Sequence, residues 1–158
     1  MTGMTYRPVI DTSSLVPPRQ RRDLQESAQL GLFTALWSPW IVAELTRVLT
    51  WRWLERDGDF SRGNWDRCGA AAKEMMTFLL ATFETVAPVP PYPVAWEGLR
   101  DAWDWPIWAA AKDGNAQYVV SENRRDFPPR QPDGHHRYEG IEYLTGHDFL
   151  ALILGSAE

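Results

Sequence analysis

Four acidic residues carry the chemical promise of this chain: Asp11 in PVIDTSSL, Glu44 in SPWIVAEL, Asp104 in DWPIWAAAK and Asp126 in SENRRDF. Asp11 directly follows the short apolar strand that ends at Val9 and Ile10, and the hydroxyl residues Thr12, Ser13 and Ser14 come next. A strand ending on a carboxylate delivers it to the edge of a sheet, and in open α/β sheets ligands bind beyond the carboxyl ends of the strands. Glu44 lies three residues after Ile41 and four before Val48, which puts it on or beside the buried stripe of a helix. A carboxylate there is costly unless a cation or hydrogen-bond donor meets it. Asp104 opens a further helix, and Asp126 lies just beyond the fourth strand. These residues meet only if the first and fourth strands are neighbours.

Convergent carboxylates repel one another and need a cation to compensate them. An all-oxygen donor set suits Mg²⁺ or Mn²⁺ better than zinc. Such an ion lowers the pKa of a bound water and steadies charge on a phosphate oxygen, so the expected reaction is phosphodiester hydrolysis. Arg124 and Arg125, beside the expected site, are candidates for holding a substrate phosphate.

Each residue also has a plainer use. Asp11 and Asp104 are good helix caps, Glu44 can pair with Arg47 or Arg52, and Asp101 competes with Asp104 as the ligand. Arg19, Arg21 and Arg22 read as a solvated helix start that can also touch RNA phosphates or acidic groups of a partner. Adjacent His135 and His136 read as solvent-facing, and Cys68 as a packing residue. A phosphate-transfer site with Asp11 as nucleophile would need a nearby lysine, and neither Lys73 nor Lys112 is obviously placed to serve.

The elements that must position these groups alternate along the chain. Strands are expected at 6–10, 34–37, 85–87, 117–120 and 140–144. Helices are expected after Pro17-Pro18 (Leu24, Ala28, Leu32 inward), from Ser38-Pro39 (Ile41, Leu45, Val48, Leu49), and over 65–83. The inner face of that third helix is Ala72, Met75, Met76, Leu79 and Leu80, and two more helices cover 106–112 and 147–154. The stretches 57–64 and PPRQPDGHH read as loops. Strand–helix alternation favours a mostly parallel sheet covered by helices on both faces, a three-layer α/β/α arrangement in a single domain spanning 1–158.

With 158 residues the chain is long enough to bury a core, and no apolar run reaches the length of a membrane helix. The N-terminus lacks a signal-peptide pattern, and a single cysteine excludes an internal disulfide framework, so a reducing cytoplasm is the expected location. The net charge of −5 argues against a broad phosphate-binding surface without excluding a local basic patch. Among nine tryptophans, Trp51, Trp53, Trp96, Trp103, Trp105 and Trp108 flank the middle of the chain. They are expected to pack a core or a subunit contact rather than to stack on bases, and a homodimer is the expectation.

The chain resembles the PIN-domain ribonucleases, a family that includes the toxin halves of bacterial toxin–antitoxin pairs. VIDTSSL is similar to that family's opening strand with Asp and Thr/Ser, and SPWIVAEL to its Ser-Pro helix start followed by an acid. DWPIWAAAKDGNAQYVVSENRRDFP is similar to its Asp, Ala-rich helix, strand and Asn/Asp loop, and GIEYLTGHDFLALI to its closing strand and helix. The match is weakest over 51–100. The resemblance implies a three-layer fold, dependence on Mg²⁺ or Mn²⁺, single-stranded RNA as substrate and, for a toxin, an antitoxin protein as partner. It assigns Asp11, Glu44 and Asp104 as metal-site carboxylates, Ser13 or Thr12 as a hydroxyl near the metal water, and Ser121 as the group that orients Asp11 or a water. At the fourth position, where many relatives have an acid, this chain has Asn123, with Asp126 three residues later as the alternative ligand. The departure leaves a competing expectation, a catalytically weakened domain that binds RNA or protein.

Overall fold

The computed structural model describes residues 5–99 and 101–155. Strand β1 (Pro8–Ile10) leads into a single-turn helix α1 (Thr12–Leu15) and then α2 (Pro18–Gln29), with proline in the first turn where no backbone donor is needed. Strand β2 (Leu36–Trp37) precedes α3 (Pro39–Asp57). Ser38 caps α3 by accepting from the Ile41 amide at 3.3 Å, and Gly58, at φ +63°, ends it in the left-handed conformation that glycine adopts without strain. The connection is short, because Ser61 already caps α4 (Arg62–Leu80). Thus α3 and α4 form one long hairpin, and the loop expected over 57–64 shrinks to 58–61.

The third strand, β3 (Glu84–Thr85), falls one residue before the expected 85–87. Helix α5 (Trp105–Asp113), strand β4 (Tyr118–Val120), a single 3-10 turn at Arg124–Asp126, β5 (Arg137–Tyr138), β6 (Ile141–Leu144) and α6 (Gly146–Gly155) complete the chain. The sheet order is β3-β2-β1-β4-β6-β5, parallel throughout except for the β5/β6 pair. Helices cover both faces, giving the expected three-layer α/β/α arrangement.

Two departures from the sequence reading have local causes. Between the PPRQPDGHH loop and β6 lies a strand that was not expected, β5, which turns into β6 through Glu139 (φ +48°) and Gly140 (φ +79°). Two consecutive positive φ values make the tight hairpin that antiparallel twist favours, and a two-residue strand is too short to show alternation. In α4 the buried face runs Asn64, Cys68, Ala72, Met76 and Leu79, whereas Leu80, expected inside, is about half exposed. A four-residue spacing along one face carries Leu80 round to the solvent side.

The core gathers Val9, Ile10, Leu36, Trp37, Val119 and Val120 from the sheet with Leu24, Ile41, Leu45, Trp108 and Phe149 from the helices. Helix α5 is buried from Pro106 through Ala111, so its alanines are not a solvent face but a close fit against β1 and β4. Gly114, just beyond it, could not carry a Cβ without meeting Leu36 Cδ1 at 2.8 Å. Cys68 is buried, as expected of a packing residue. Of the flanking tryptophans, Trp96 and Trp108 are core, Trp53 and Trp105 are half-buried, and Trp51 and Trp103 are exposed. No helix among the described residues is long and apolar enough to cross a membrane.

Candidate active site

Because the chain leaves β1 toward β2 and β3 and returns to the other side at β4, the strand order reverses between β1 and β4. That is where an open parallel sheet leaves a crevice. Register places Ile10 opposite Val120, so Asp11 and Ser121 leave the sheet side by side, and the Asp11 amide extends the ladder by donating to the Val120 carbonyl at 2.9 Å.

Both oxygens of Asp11 are engaged. Oδ1 accepts from the Thr12 amide at 2.8 Å, the capping role that Asp so often plays. Oδ2 accepts from the Ser13 and Ser121 hydroxyls, each at 2.9 Å. Ser13 Oγ in turn accepts from the Glu122 amide at 3.0 Å, and Ser121 Oγ from the Asn123 amide at 3.2 Å. The two loops that follow β1 and β4 are therefore laced together around one carboxylate. Burial raises the pKa of Asp11 despite the opposing serine hydrogen bonds, and the Glu44 charge pushes the same way.

Asp104 stands at the N-cap of α5, just before Trp105, but its side chain makes no capping hydrogen bond, so the plainer explanation of its presence fails. Asp101, its competitor, uses Oδ1 to accept from the Trp103 amide at 2.9 Å. Asp104 Oδ2 is buried with no hydrogen-bond partner. Its pKa is pushed up to about 8, chiefly by burial. Next comes Asp126, as a partner of the protonated form and as a like charge, followed by Asp11 and Asp101.

A small cavity of about 10 Å³ is lined by Asp11, Asp104, Asp126, Ser121 and Asn123, with Ile107, Val119 and Tyr143 as its apolar walls. That volume is about the least that admits one water molecule. Tyr143 is held neutral, its pKa raised by burial and by the charges of Asp104, Asp11 and Asp126. The Asn123 side-chain amide donates to Asp126, so the neutral residue at the doubtful fourth position is tied to the acid three residues on.

A groove of about 1120 Å³ adjoins this cavity and shares Asp11, Asp104 and Asn123 with it, while adding Glu44, Thr12 and Ser13. Among the described residues Glu44 forms no ion pair with Arg47 or Arg52, which removes its plainer role. The expected site residues thus gather from four places: the ends of β1 and β4, the start of α5, and the second turn of α3. Arg124 and Arg125 stand apart, since neither lines the groove or the small cavity, and Arg124 borders a separate cavity beside Phe127 and His136.

Arg21 differs from its expected place in a solvated helix start. Expected to be solvated, it is 8% exposed and donates from Nη1 to the Leu15 and Val16 carbonyls at 2.9 and 3.1 Å. Sequence reasoning missed Trp103, Arg52 and Arg56 as groove residues, and Tyr143 as a wall. Only the helical spacing of Glu44, Arg47 and Arg52 carried any signal for these. His135 is exposed and meets Glu142 Oε2 at 3.0 Å, while His136 is half-buried and pairs through Nδ1 with the Pro128 carbonyl at 2.9 Å, so only one of the two faces solvent.

Among the described residues, no three His, Cys, Asp or Glu side chains stand together as a ready metal cage. The donor chemistry nevertheless suits a hard divalent cation. The polar lining of the small cavity is all oxygen apart from the Asn123 amide, and Asp104 Oδ2 has no hydrogen bond among the described residues where burial and then neighbouring acids push the carboxyl toward its neutral form. Asp11, Asp104 and Asp126 would hold such an ion, with Glu44 reaching from the groove side. Compared with protein-family models, curated proteins and solved structures, the chain matches none.

Proposed function

We propose that the chain is a metal-dependent phosphodiesterase, and more particularly a PIN-type endoribonuclease that hydrolyses single-stranded RNA with Mg²⁺ or Mn²⁺ in a reducing cytoplasm. The observation that carries this reading is Asp104: a buried, unpartnered carboxylate oxygen facing a cavity shared with Asp11 and Asp126, at the crevice where the strand order reverses. Uncompensated buried charge is expensive, so such a cluster persists where a bound cation offsets it in use. The RNA substrate, and the toxin role with an antitoxin as partner, rest on the motif resemblance. A homodimer is supported by the exposed aromatics Trp51, Phe60 and Trp65, which touch one another on the α3–α4 hairpin.

When bound, the divalent ion supplies Lewis acidity and an activated water. The chain's own residues do the positioning. Ser13 and Ser121 fix Asp11 Oδ2 in place, so the carboxylate costs little reorganisation when it takes up a ligand. Ile107, Val119 and Tyr143 close the floor of the cavity against bulk water. Asp104, whose carboxyl pKa is pushed up to about 8 by burial and then by Asp126, would bind the ion as a carboxylate, so holding it would be favoured by rising pH.

The test is cleavage of end-labelled single-stranded RNA by the purified protein, with Mn²⁺ and then with EDTA. Cleavage should require the metal and fall by roughly 10²–10³-fold in Asp11→Asn. Cleavage that persists in EDTA, or in Asp11→Asn, refutes the proposal. The engagement of Asn123 with Asp126 favours one second reading, a domain that binds RNA or protein without cutting. Its signature is metal-independent binding with no product.

A further inference from the structure

The acidic cluster occupies one end of a much longer groove. Along α3 the groove wall runs from Glu44 through Arg47 and Arg52 to Arg56, a rise of about 18 Å at the helical 1.5 Å per residue. Arg56 is engaged by Asp57 at 3.2 Å, but Arg47 and Arg52 have no ion-pair partner among the described residues. Across from them Arg21 lines the same groove. Arg21 is buried and its guanidinium donates to two backbone carbonyls through one nitrogen, with no ion-pair partner among the described residues. A buried cation so placed is stabilised by an incoming anion, and burial already pulls its pKa down from the ordinary value. The groove rim also carries Trp103, 62% exposed, stacked on Trp40 with ring centroids 5.0 Å apart and planes 27° from parallel. Trp40 stacks on one face of Trp103, whose side chain is otherwise largely exposed, as a base-stacking platform requires.

We infer that this groove is a track for a single-stranded polynucleotide, with Arg21, Arg47 and Arg52 binding successive phosphates and Trp103 stacking a base beside the acidic cluster. The inference rests on the ribonuclease reading for the strand's destination, but it concerns binding and is separable from cleavage. It replaces Arg124 and Arg125 as the phosphate-holding residues, because both lie outside the groove. It also reconciles a net charge of −5 with a polyanionic ligand: a local line of arginines faces the strand while the acids elsewhere do not. Stacking on one indole face tolerates any base, so the track contributes affinity and register rather than sequence choice.

The experiment measures fluorescence polarisation of a labelled, unstructured RNA oligonucleotide on the whole protein in EDTA, where no cleavage occurs. The Arg47→Ala/Arg52→Ala double variant should bind about tenfold more weakly and flatten the salt dependence by about 1.4 in log–log slope, as expected for two lost single-strand phosphate contacts. Trp103→Ala should bind about five- to a hundredfold more weakly with an unchanged salt slope. Arg124→Ala/Arg125→Ala should bind like the parent. Both α3 arginines are exposed, so their replacement leaves the fold intact, whereas Arg21→Ala also removes two backbone contacts and is best replaced by Arg21→Lys. Unchanged affinity and slope in the α3 double variant overturns the track, and so does a loss confined to the Arg124/Arg125 variant. A parent protein that ignores RNA but binds polyglutamate overturns it in favour of an acidic protein partner. Metal-dependent cleavage that is indifferent to the α3 variant removes the track and leaves the nuclease standing. Arginine-dependent binding with no cleavage in Mn²⁺ does the reverse.

Discussion

Two clusters of acids in this molecule have opposite electrostatics. At the turn between α3 and α4, Asp57 is held below the usual carboxylate range, first by the Asn64 amide and then by Arg56 and Arg67, the latter at 3.0 Å. Asp59 is likewise lowered, mainly by the Ser61 backbone amide. At the β1–β4 crevice, Asp11 and Asp104 are raised, first by burial and then by neighbouring acids, Glu44 for Asp11 and chiefly Asp126 for Asp104, and among the described residues no ion pair answers either of them. The first arrangement is what a stable surface turn looks like, with each charge answered locally. The second is a standing electrostatic cost, and groups perturbed by burial together with like charge cluster at functional sites. The same residue type is thus answered by a protein cation in one place and, among the described residues, by none in the other.

That contrast is open to direct attack. The largest expected effect is on cleavage: Asp104→Asn should reduce metal-dependent RNA hydrolysis by roughly 10²–10³-fold, as Asp11→Asn should, while Asp57→Asn leaves the rate unchanged. Equal losses at both clusters, read from initial rates, would erase the distinction. Next in size is the response to cation. Mg²⁺ or Mn²⁺ at a hundredfold excess over its dissociation constant should stabilise the protein by about 2.7 kcal/mol, roughly 5–10 °C in melting temperature for a chain of this length. In Asp104→Asn most of that shift should vanish, as followed by differential scanning fluorimetry.

A smaller effect follows from the raised carboxyl. Asp104 has a folded-state pKa of about 8 against roughly 3.9 unfolded, so the native state binds the extra proton between those values. Its contribution to stability is full below about pH 4 and is lost as pH rises through about 8. Metal-free parent protein should therefore lose about 1–3 kcal/mol relative to Asp104→Asn between pH 4 and 9, a figure reduced for the solvent that reaches a half-buried site. Urea titrations of both proteins across that range measure it, and parallel curves would show that Asp104 is ionised throughout. The opposite sign holds at the turn. The lowered Asp57 stabilises above its unfolded pKa and loses that contribution in acid, a small effect for an exposed group that Asp57→Asn should abolish.

Much of this site was legible before any coordinates. Asp11 after an apolar strand, Ser-Pro before the helix of Glu44, and Asp104 before an alanine-rich helix are local signals, each read from a few neighbouring residues. The serine lattice was half legible: Ser121 was expected to orient Asp11 and does, but the reciprocal engagement of Ser13 with the Glu122 amide depends on two loops more than a hundred residues apart. Arg21 was misread because its helix start looks like any basic, proline-led turn. Whether an arginine there is solvated or folded back onto the Leu15 and Val16 carbonyls depends on what packs above it. Asp104 posed the sharpest ambiguity, since a helix-opening Asp is usually a cap. Only the absence of a capping bond, together with the nearness of Asp126, separates the two uses.

The sequence by itself determined the alternation of strand and helix, the parallel-sheet class and the residues that end the strands at the crevice, because these follow from periodicity and chain order within a few turns. Tertiary structure alone decided that β1 and β4 are neighbours, that Asp104 is buried beside Asp126 rather than capping its helix, and that the arginines of α3 rather than Arg124 and Arg125 border the acidic cluster. The physical reason is range. Local backbone preference is written in adjacent residues, whereas desolvation and charge–charge energies depend on distances through space that only the packed sheet and helices set.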